Sequence, residues 1–334
     1  MFFRVGEGRK EGEYLETNEK LIFSVKGVVH PPTHIIAFPK YVPGDGRKGF
    51  RKIESLSESY RFLKENYEEY LRFDPVFNRV LAEVPLTKVR RIFSPQKFLQ
   101  NLLGREKRDR VEEDSVNFVK MVAEHSSVST LDVGISGSVM VGLHTENSDI
   151  DLVVYGVKQS VNVYEALKML VEEKNSPVKR YVGEDLGRLY RFRVKDTQIP
   201  FEKFVQIETK KVLQGRFNGR EYFVRLVKEP WETGEKYGEE IYFPVGFVEI
   251  KAEVEDDSES IFTPVRYPIR NVSVLRGKKV PIREVVSFRG RFCEQAKKFE
   301  KIFVRGMLEK VSSGGEEYYR IVVGGDRKDL IIPL

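Results

Sequence analysis

Two short stretches of the chain alternate apolar with other residues at a period of two. Leu131, Val133 and Ile135 form one, and Ile150, Leu152 and Val154 the other. That period marks half-buried strands, one face of each turned to a core. Before the first, Val116, Val119, Val122 and Ala123 recur at helical spacing. After the second, Val163, Leu167, Leu170 and Val171 do the same. Ser136-Gly137-Ser138 punctuates the end of the first strand, and a short helix fits through Gly142. Residues 183–214 read as mostly helical with a break at Pro200, and 222–227 as a third strand. Helix, strand, short helix, strand, helices, strand is the order of a small mixed α/β layer, placed here over residues 106–230.

The flanks read differently. In residues 1–105, two strands (21–29 and 34–42) are joined by Pro31-Pro32-Thr33, and 44–48 is a basic, Gly-rich loop. Ser55, with Glu58 three residues on, has capping-box spacing. Leu56, Tyr60, Leu63, Tyr67 and Leu71 then continue as a helical stripe. This predicts a small α+β domain. Residues 231–334 carry strand-like runs at 247–254, 261–267, 301–311 and 318–323, with Gly314-Gly315 and Gly324-Gly325 as turns. Such spacing predicts a β-rich domain, a sandwich or a barrel, and the glycines and hairpins of the last 50 residues suit an OB-like barrel. The fold class is therefore α+β, in three parts divided near 105 and 230.

Composition narrows the function classes. Of 334 residues, 32% are charged and one is cysteine, Cys293. That excludes a disulfide framework and makes a cytoplasmic protein the expectation. Nowhere do 18 apolar residues run together, so no membrane span is expected. The formal net charge of +6 permits a polyanionic partner without requiring one. Arg188, Tyr190, Arg191, Phe192 and Arg193 interleave cations with aromatics, and Arg289, Arg291, Lys297, Lys298 and Lys301 cluster later. Such surfaces bind single-stranded nucleic acid by charge and stacking, although a solvated charged face is the plainer reading.

The chemistry concentrates in residues 134–156. On a strand, Asp149 and Asp151 share one face, about 6–7 Å apart, while Ile150, Leu152 and Val154 take the other. Two carboxylates so placed suit a hard divalent ion such as Mg²⁺. Gly137 and Ser138, between strand and helix, combine close backbone approach with a hydroxyl donor, which suits a phosphate. No Lys-Ser/Thr follows the glycines at Walker A spacing, and no Gly-x-Gly-x-x-Gly opens a helix. His30 and His34 are separated by Pro31 and Pro32, which forbid a shared helical face, and His144 reads as an exposed loop residue.

Gly137, Ser138, Gly142, Ser148, Asp149 and Asp151 together resemble the DNA polymerase β-like nucleotidyltransferases, tightly over about 25 residues and loosely over 106–230. The whole chain is also similar to an archaeal group of predicted nucleotidyltransferases. The resemblance implies that Asp149 and Asp151 are catalytic and bind Mg²⁺ or Mn²⁺. It implies that Gly137, Ser138 and Ser148 bind an NTP such as ATP, and that a nucleoside monophosphate passes to an acceptor hydroxyl, an RNA 3′ end being preferred. The superfamily normally adds a third carboxylate from a neighbouring strand. In 221–227 the centre carries Arg225, leaving Glu221 at the edge, with Glu249 and Glu253 further on, or none. The rival expectation is a non-catalytic RNA- or nucleotide-binding protein on the same scaffold.

Overall fold

The structure is a computed structural model that describes residues 8–334. It divides into two compact units, one of residues 8–72, 80–179 and 212–237, the other of 73–79, 180–211 and 238–334.

In the first unit, Val133–Ile135 and Ile150–Tyr155 form strands and pair antiparallel, with Ile135 opposite Leu152, but Leu131, which the alternation placed on the first strand, lies in the turn before it and is exposed. Arg220–Val227 joins Ile150–Tyr155 in parallel, and Gln214–Phe217 and Val178–Lys179 complete a five-stranded mixed sheet. Ile150, Leu152, Val154, Val224 and Leu226 are buried on one side of it. Helices Arg110–Ser126 and Val157–Glu172 pack together there, Phe118 lying 4.7 Å from the Tyr222 ring. The first helix is closed by a capping box in which Asp109 accepts from Glu112 N–H and Glu112 from Asp109 N–H.

The opposite face of this sheet is covered by the N-terminal segment. A Cβ on Gly12 would come within 2.9 Å of Val153 and of the Tyr155 hydroxyl, so only glycine permits that approach. Tyr155 Oη donates to Glu11 O at 3.0 Å, and Ser136 Oγ to Gly12 O at 2.6 Å. Strand Tyr14–Thr17 follows, within a second sheet that includes Val89–Phe93, Ile22–Val25 and His34–Pro43, with Phe50–Lys52 paired to the last. Tyr14, Ile22, Tyr41 and Phe93 share one apolar cluster with Met140 and Leu143. The segment carrying the glycines is thereby welded to the N-terminal sheet.

Three local expectations shift. Ser55 Oγ caps the helix Leu56–Asn66 by accepting from Glu58 N–H at 3.1 Å, but Glu58 reaches back to Glu54 N–H, one residue before the box position. Leu71, placed on the helical stripe by spacing, instead opens a strand. Tyr67 leaves helical geometry, and Tyr70 is fully buried with its hydroxyl on Glu19 at 2.7 Å. That tertiary anchor outweighs the continuation of the helix. The helical expectation for 183–214 resolves into Glu184–Arg193 and Phe201–Glu208, with Pro200 as N-cap of the second, while Gln214 already belongs to a strand.

In the second unit, Glu240–Val254 pairs with Val265–Arg276, which pairs with Ile282–Ser287. Ile282–Ser287 runs parallel to Glu316–Val322, which pairs with Lys301–Ser313, and that strand returns to Glu240–Val254. The ring closes on five strands. Leu330–Pro333 adds at Lys301–Ser313. Val248, Ile250, Val265, Tyr267, Val304 and Ile321 are buried in it. Closure removes the exposed edges that an open sheet would present.

Candidate nucleotidyl-transfer site

The antiparallel pairing of Val133–Ile135 with Ile150–Tyr155 sets the end of one strand beside the start of the other. Ser136 N–H donates to Asp151 O at 2.8 Å, so the turn after the first strand is fastened to the carboxylate-bearing residue. Gly137 follows at φ +64° and opens the short helix Gly137–Met140. A Cβ at Gly137 would lie 2.8 Å from Asp151 Cγ and closer still to Oδ2. The Asp151 carboxylate therefore rests on the Gly137 backbone, and the two halves of the sequence motif meet in space. Ser138 is half-buried, and its hydroxyl makes no hydrogen bond among the described residues, so it remains available as a donor. Ser148 is differently placed. Its Oγ accepts from Thr145 N–H at 2.9 Å and closes the 145–148 turn.

Arg220 holds the approach to the carboxylates. Its Nε donates to Asp114 Oδ2 at 2.8 Å, and its Nη1 donates to Glu146 O and Ser148 O at 2.7 and 2.8 Å. One guanidinium thus fixes the loop before Asp149 to the helix Arg110–Ser126 and to the neighbouring strand.

Asp149 is exposed and Asp151 half-buried. Burial, and then repulsion from Asp149, push the Asp151 carboxyl up to about 7, against the opposing pull of Arg225, Lys52 and Lys40. Two carboxylates that disfavour joint ionisation form a site that a divalent cation would relieve. A cavity of about 30 Å³ lies beside Asp151, walled also by Tyr14, Ser136, Phe223 and Arg225, while Asp149 is not part of its wall. It accommodates one water-sized species. Asp149 and Asp151 fit a divalent ion in donor type and charge.

The neighbouring strand supplies no third acid. In the parallel register Phe223 stands opposite Asp151 and Arg225 opposite Val153. Arg225 Nη1 donates to Glu11 Oε2 at 3.1 Å, and Glu11 is nearly fully buried, also accepting from Gly27 N–H at 3.0 Å. Glu221 approaches Arg216 at 3.4 Å. Glu249 and Glu253 lie on the barrel strand of the second unit, where they face Arg305 and Arg270. Among the described residues no group of three His, Cys, Asp or Glu side chains is arranged to hold a metal.

Sequence reasoning missed what surrounds the pair. Lys40 and Tyr41 from the strand His34–Pro43, Lys52 from the strand paired with it, and Tyr14 from Tyr14–Thr17 of the same sheet all feel the Asp151 charge. Burial, and then Lys52, lower Lys40 to about 8, with its Nζ donating to Ile53 O at 3.3 Å. Burial, and then Asp151, push the Tyr41 hydroxyl well up. No local pattern marks these residues, because only the packing of one sheet on another delivers them. His30, by contrast, is structural. Its Nδ1 accepts from Ile36 N–H at 3.2 Å while Nε2 sits 3.0 Å from Arg9 O, and burial lowers it to about 4.

A nucleotidyltransferase domain model matches residues 116–214, the stretch that contains the glycine turn and both aspartates. The chain belongs to the polymerase β-like nucleotidyltransferases. Its likeness to an uncharacterized protein of Methanocaldococcus jannaschii is 31% identity over 333 residues, covering 95% of each chain. The likeness therefore takes in both compact units as well as the matched domain. No solved structure matches the chain. No helix among the described residues is long and apolar enough to cross a membrane. Members of this superfamily act on nucleoside triphosphates, and the chain carries the corresponding domain.

Proposed function

We propose that this nucleotidyltransferase moves a nucleoside monophosphate from an NTP to an acceptor hydroxyl, with an RNA 3′ end as the acceptor. The observation that carries the reading is the seating of the Asp151 carboxylate on Gly137, which joins the phosphate-binding turn to the metal-binding pair at one point. Gly137 lets a phosphate approach the backbone, and the free Ser138 hydroxyl donates to it. Asp149 and Asp151 would hold Mg²⁺ or Mn²⁺, which supplies charge neutralisation at the reacting phosphates. Arg225 and Lys40, pulling against the raised Asp151, add positive charge on the same face. Lys52 adds more from the strand paired with that of Lys40. These cations compensate negative charge on the entering phosphates where the superfamily's third carboxylate is missing.

The closed five-strand ring supports an RNA acceptor. Numbered along the chain, its strands run 1-2-3-5-4 and back to 1, with the third and fifth parallel. That is the connectivity of an OB-like barrel, a fold that binds single strands through backbone charge and base stacking.

A second reading, binding without turnover, draws on one observation. The neighbouring strand places Phe223 and Arg225 where an acid is expected. Incubation with labelled NTPs, Mg²⁺ and total RNA decides between them. Label should pass to RNA and be lost in Asp149→Ala and Asp151→Ala. Absence of transfer to any acceptor, with RNA binding indifferent to both substitutions, would establish the binding protein instead.

A further inference from the structure

A larger cavity of the first unit, about 480 Å³, lies at the other end of the short helix Gly137–Met140 from Asp151. Val139, Met140, Val141 and Gly142 form its floor, whereas Ser138, Asp149 and Asp151 are absent from its walls. The helix has four residues, so roughly 6 Å separates its ends. The cavity is next to the nucleotidyl-transfer site but built from different side chains.

Its walls come from several places in the sequence. Arg47 and Lys48 project from the turn Arg47–Gly49, Arg91 and Phe93 from the strand Val89–Phe93, Phe98 from the helix Pro95–Leu103, and Arg105 from just beyond it. The acidic wall residues are already engaged. Asp109 Oδ2 is 2.7 Å from His144 Nε2, a contact that buries the histidine expected to be exposed, and Asp109 also caps the helix Arg110–Ser126. Glu112 pairs with Arg105 at 2.6 Å. Lys48 Nζ donates to Gly142 O at 2.7 Å, tying the turn to the loop after the glycines. Arg47 and Arg91 are exposed and form no ion pair with any described carboxylate. Arg91 instead lies over the Phe93 ring at 4.4 Å, and Arg105 over Phe98 at 5.5 Å.

Two unpaired guanidiniums above a cavity with two phenyl walls match one ligand chemistry. Planar guanidinium donors suit the oxygens of a phosphate, and phenyl and guanidinium faces suit the face of a flat ring. The volume is in the range of small-ligand sites. We propose that this cavity is a second nucleotide site, independent of metal, that takes a nucleoside monophosphate moiety. Arg47 and Arg91 hold its phosphate, and its base stacks against Phe98. The site does not depend on transfer at Asp149 and Asp151, and it places a second nucleotide beside the first.

Equilibrium dialysis of the full chain against radiolabelled 5′-AMP in EDTA tests this. One AMP should bind per chain, and binding should persist in the Asp149→Asn/Asp151→Asn double variant. Each of Arg47→Ala and Arg91→Ala should weaken it about tenfold or more, as loss of a charge-assisted bond requires. Arg91→Lys should weaken it less than Arg91→Ala. Phe98→Ala should weaken AMP while leaving competition by inorganic phosphate unchanged. Because both arginines are exposed, these variants keep the fold, and a thermal melt checks that they do. The inference is overturned if no AMP binds at millimolar concentration, if binding vanishes with the two aspartates, or if it survives both alanine replacements. Inorganic phosphate binding as tightly as AMP would also overturn the assignment to a nucleotide. A chain that fails to transfer label yet binds AMP this way loses the catalytic reading alone.

Discussion

Replacing Gly137 with alanine isolates the contact on which the site depends, provided Gly142→Ala is measured beside it. Both glycines sit at positive φ, +64° and +71°, so each alanine incurs a left-handed backbone cost of about 1–2 kcal/mol. The space around them differs. At Gly142 the nearest atom to a new Cβ is Lys48 Nζ at 3.7 Å, an ordinary van der Waals distance, although that ammonium donates to Gly142 O. At Gly137 the new Cβ falls on the Asp151 carboxylate, 2.8 Å from Cγ and 3.1 Å from Cβ. Asp151 cannot swing aside freely, because its backbone oxygen is held by Ser136 N–H and Leu152 beside it is fully buried. Overpacking of that kind adds about 1–3 kcal/mol. Gly137→Ala should therefore cost about 2–5 kcal/mol and Gly142→Ala about 1–2. At about 2–4 °C per kcal/mol for a unit of this size, thermal melts in EDTA separate the two. Label transfer should separate them further, since displacing a metal carboxylate by about 1 Å lowers a rate on the order of 100-fold. Equal melting of the two variants, or wild-type transfer by Gly137→Ala, would refute the claim that Gly137 and Asp151 form one site.

Three further outcomes follow from named contacts. The Asp151 carboxyl is raised to about 7, so the folded chain binds a proton that the unfolded chain releases near 4, and this group's contribution falls as pH rises from about 4 to 7. In EDTA at pH 8 Asp151→Asn should accordingly melt above the wild type, and the gap should shrink at pH 5; a gap independent of pH would contradict the shift. His30 is lowered to about 4 by burial, so its contribution is complete above about 6.5 and is lost as pH falls toward 4. Its ring resonances should show no protonation until near pH 4, and a midpoint near 6.5 would place it in water. Arg220→Ala removes three hydrogen bonds, two of them to the loop before Asp149. It should destabilise the chain by about 2–4 kcal/mol and weaken Mn²⁺ binding, measured by paramagnetic relaxation; unchanged Mn²⁺ affinity would remove Arg220 from its positioning role.

The amino-acid sequence by itself determined the local chemistry of the site. Alternation puts Ile150, Leu152 and Val154 in the core and leaves Asp151 off that face, with Asp149 just before the strand and close enough for its charge to act on Asp151. Gly137 and Ser138 fall beside them because only a short hairpin of chain lies between. All of that is legible within about 25 residues, where periodicity and turn chemistry govern the backbone. What lies over the aspartates was decided by the tertiary structure. Tyr14, Lys40 and Tyr41 come from a separate sheet, and Arg225 meets Glu11 across 214 positions of sequence. The ring closure of the barrel rests on the pairing of Glu240–Val254 with Lys301–Ser313, and the helix that spacing carries to Leu71 stops at Asn66 because Tyr70 is buried. Apolar periodicity says that a face will be covered but not by which distant segment. That choice is made by shape and burial summed over many weak contacts, which no local pattern records.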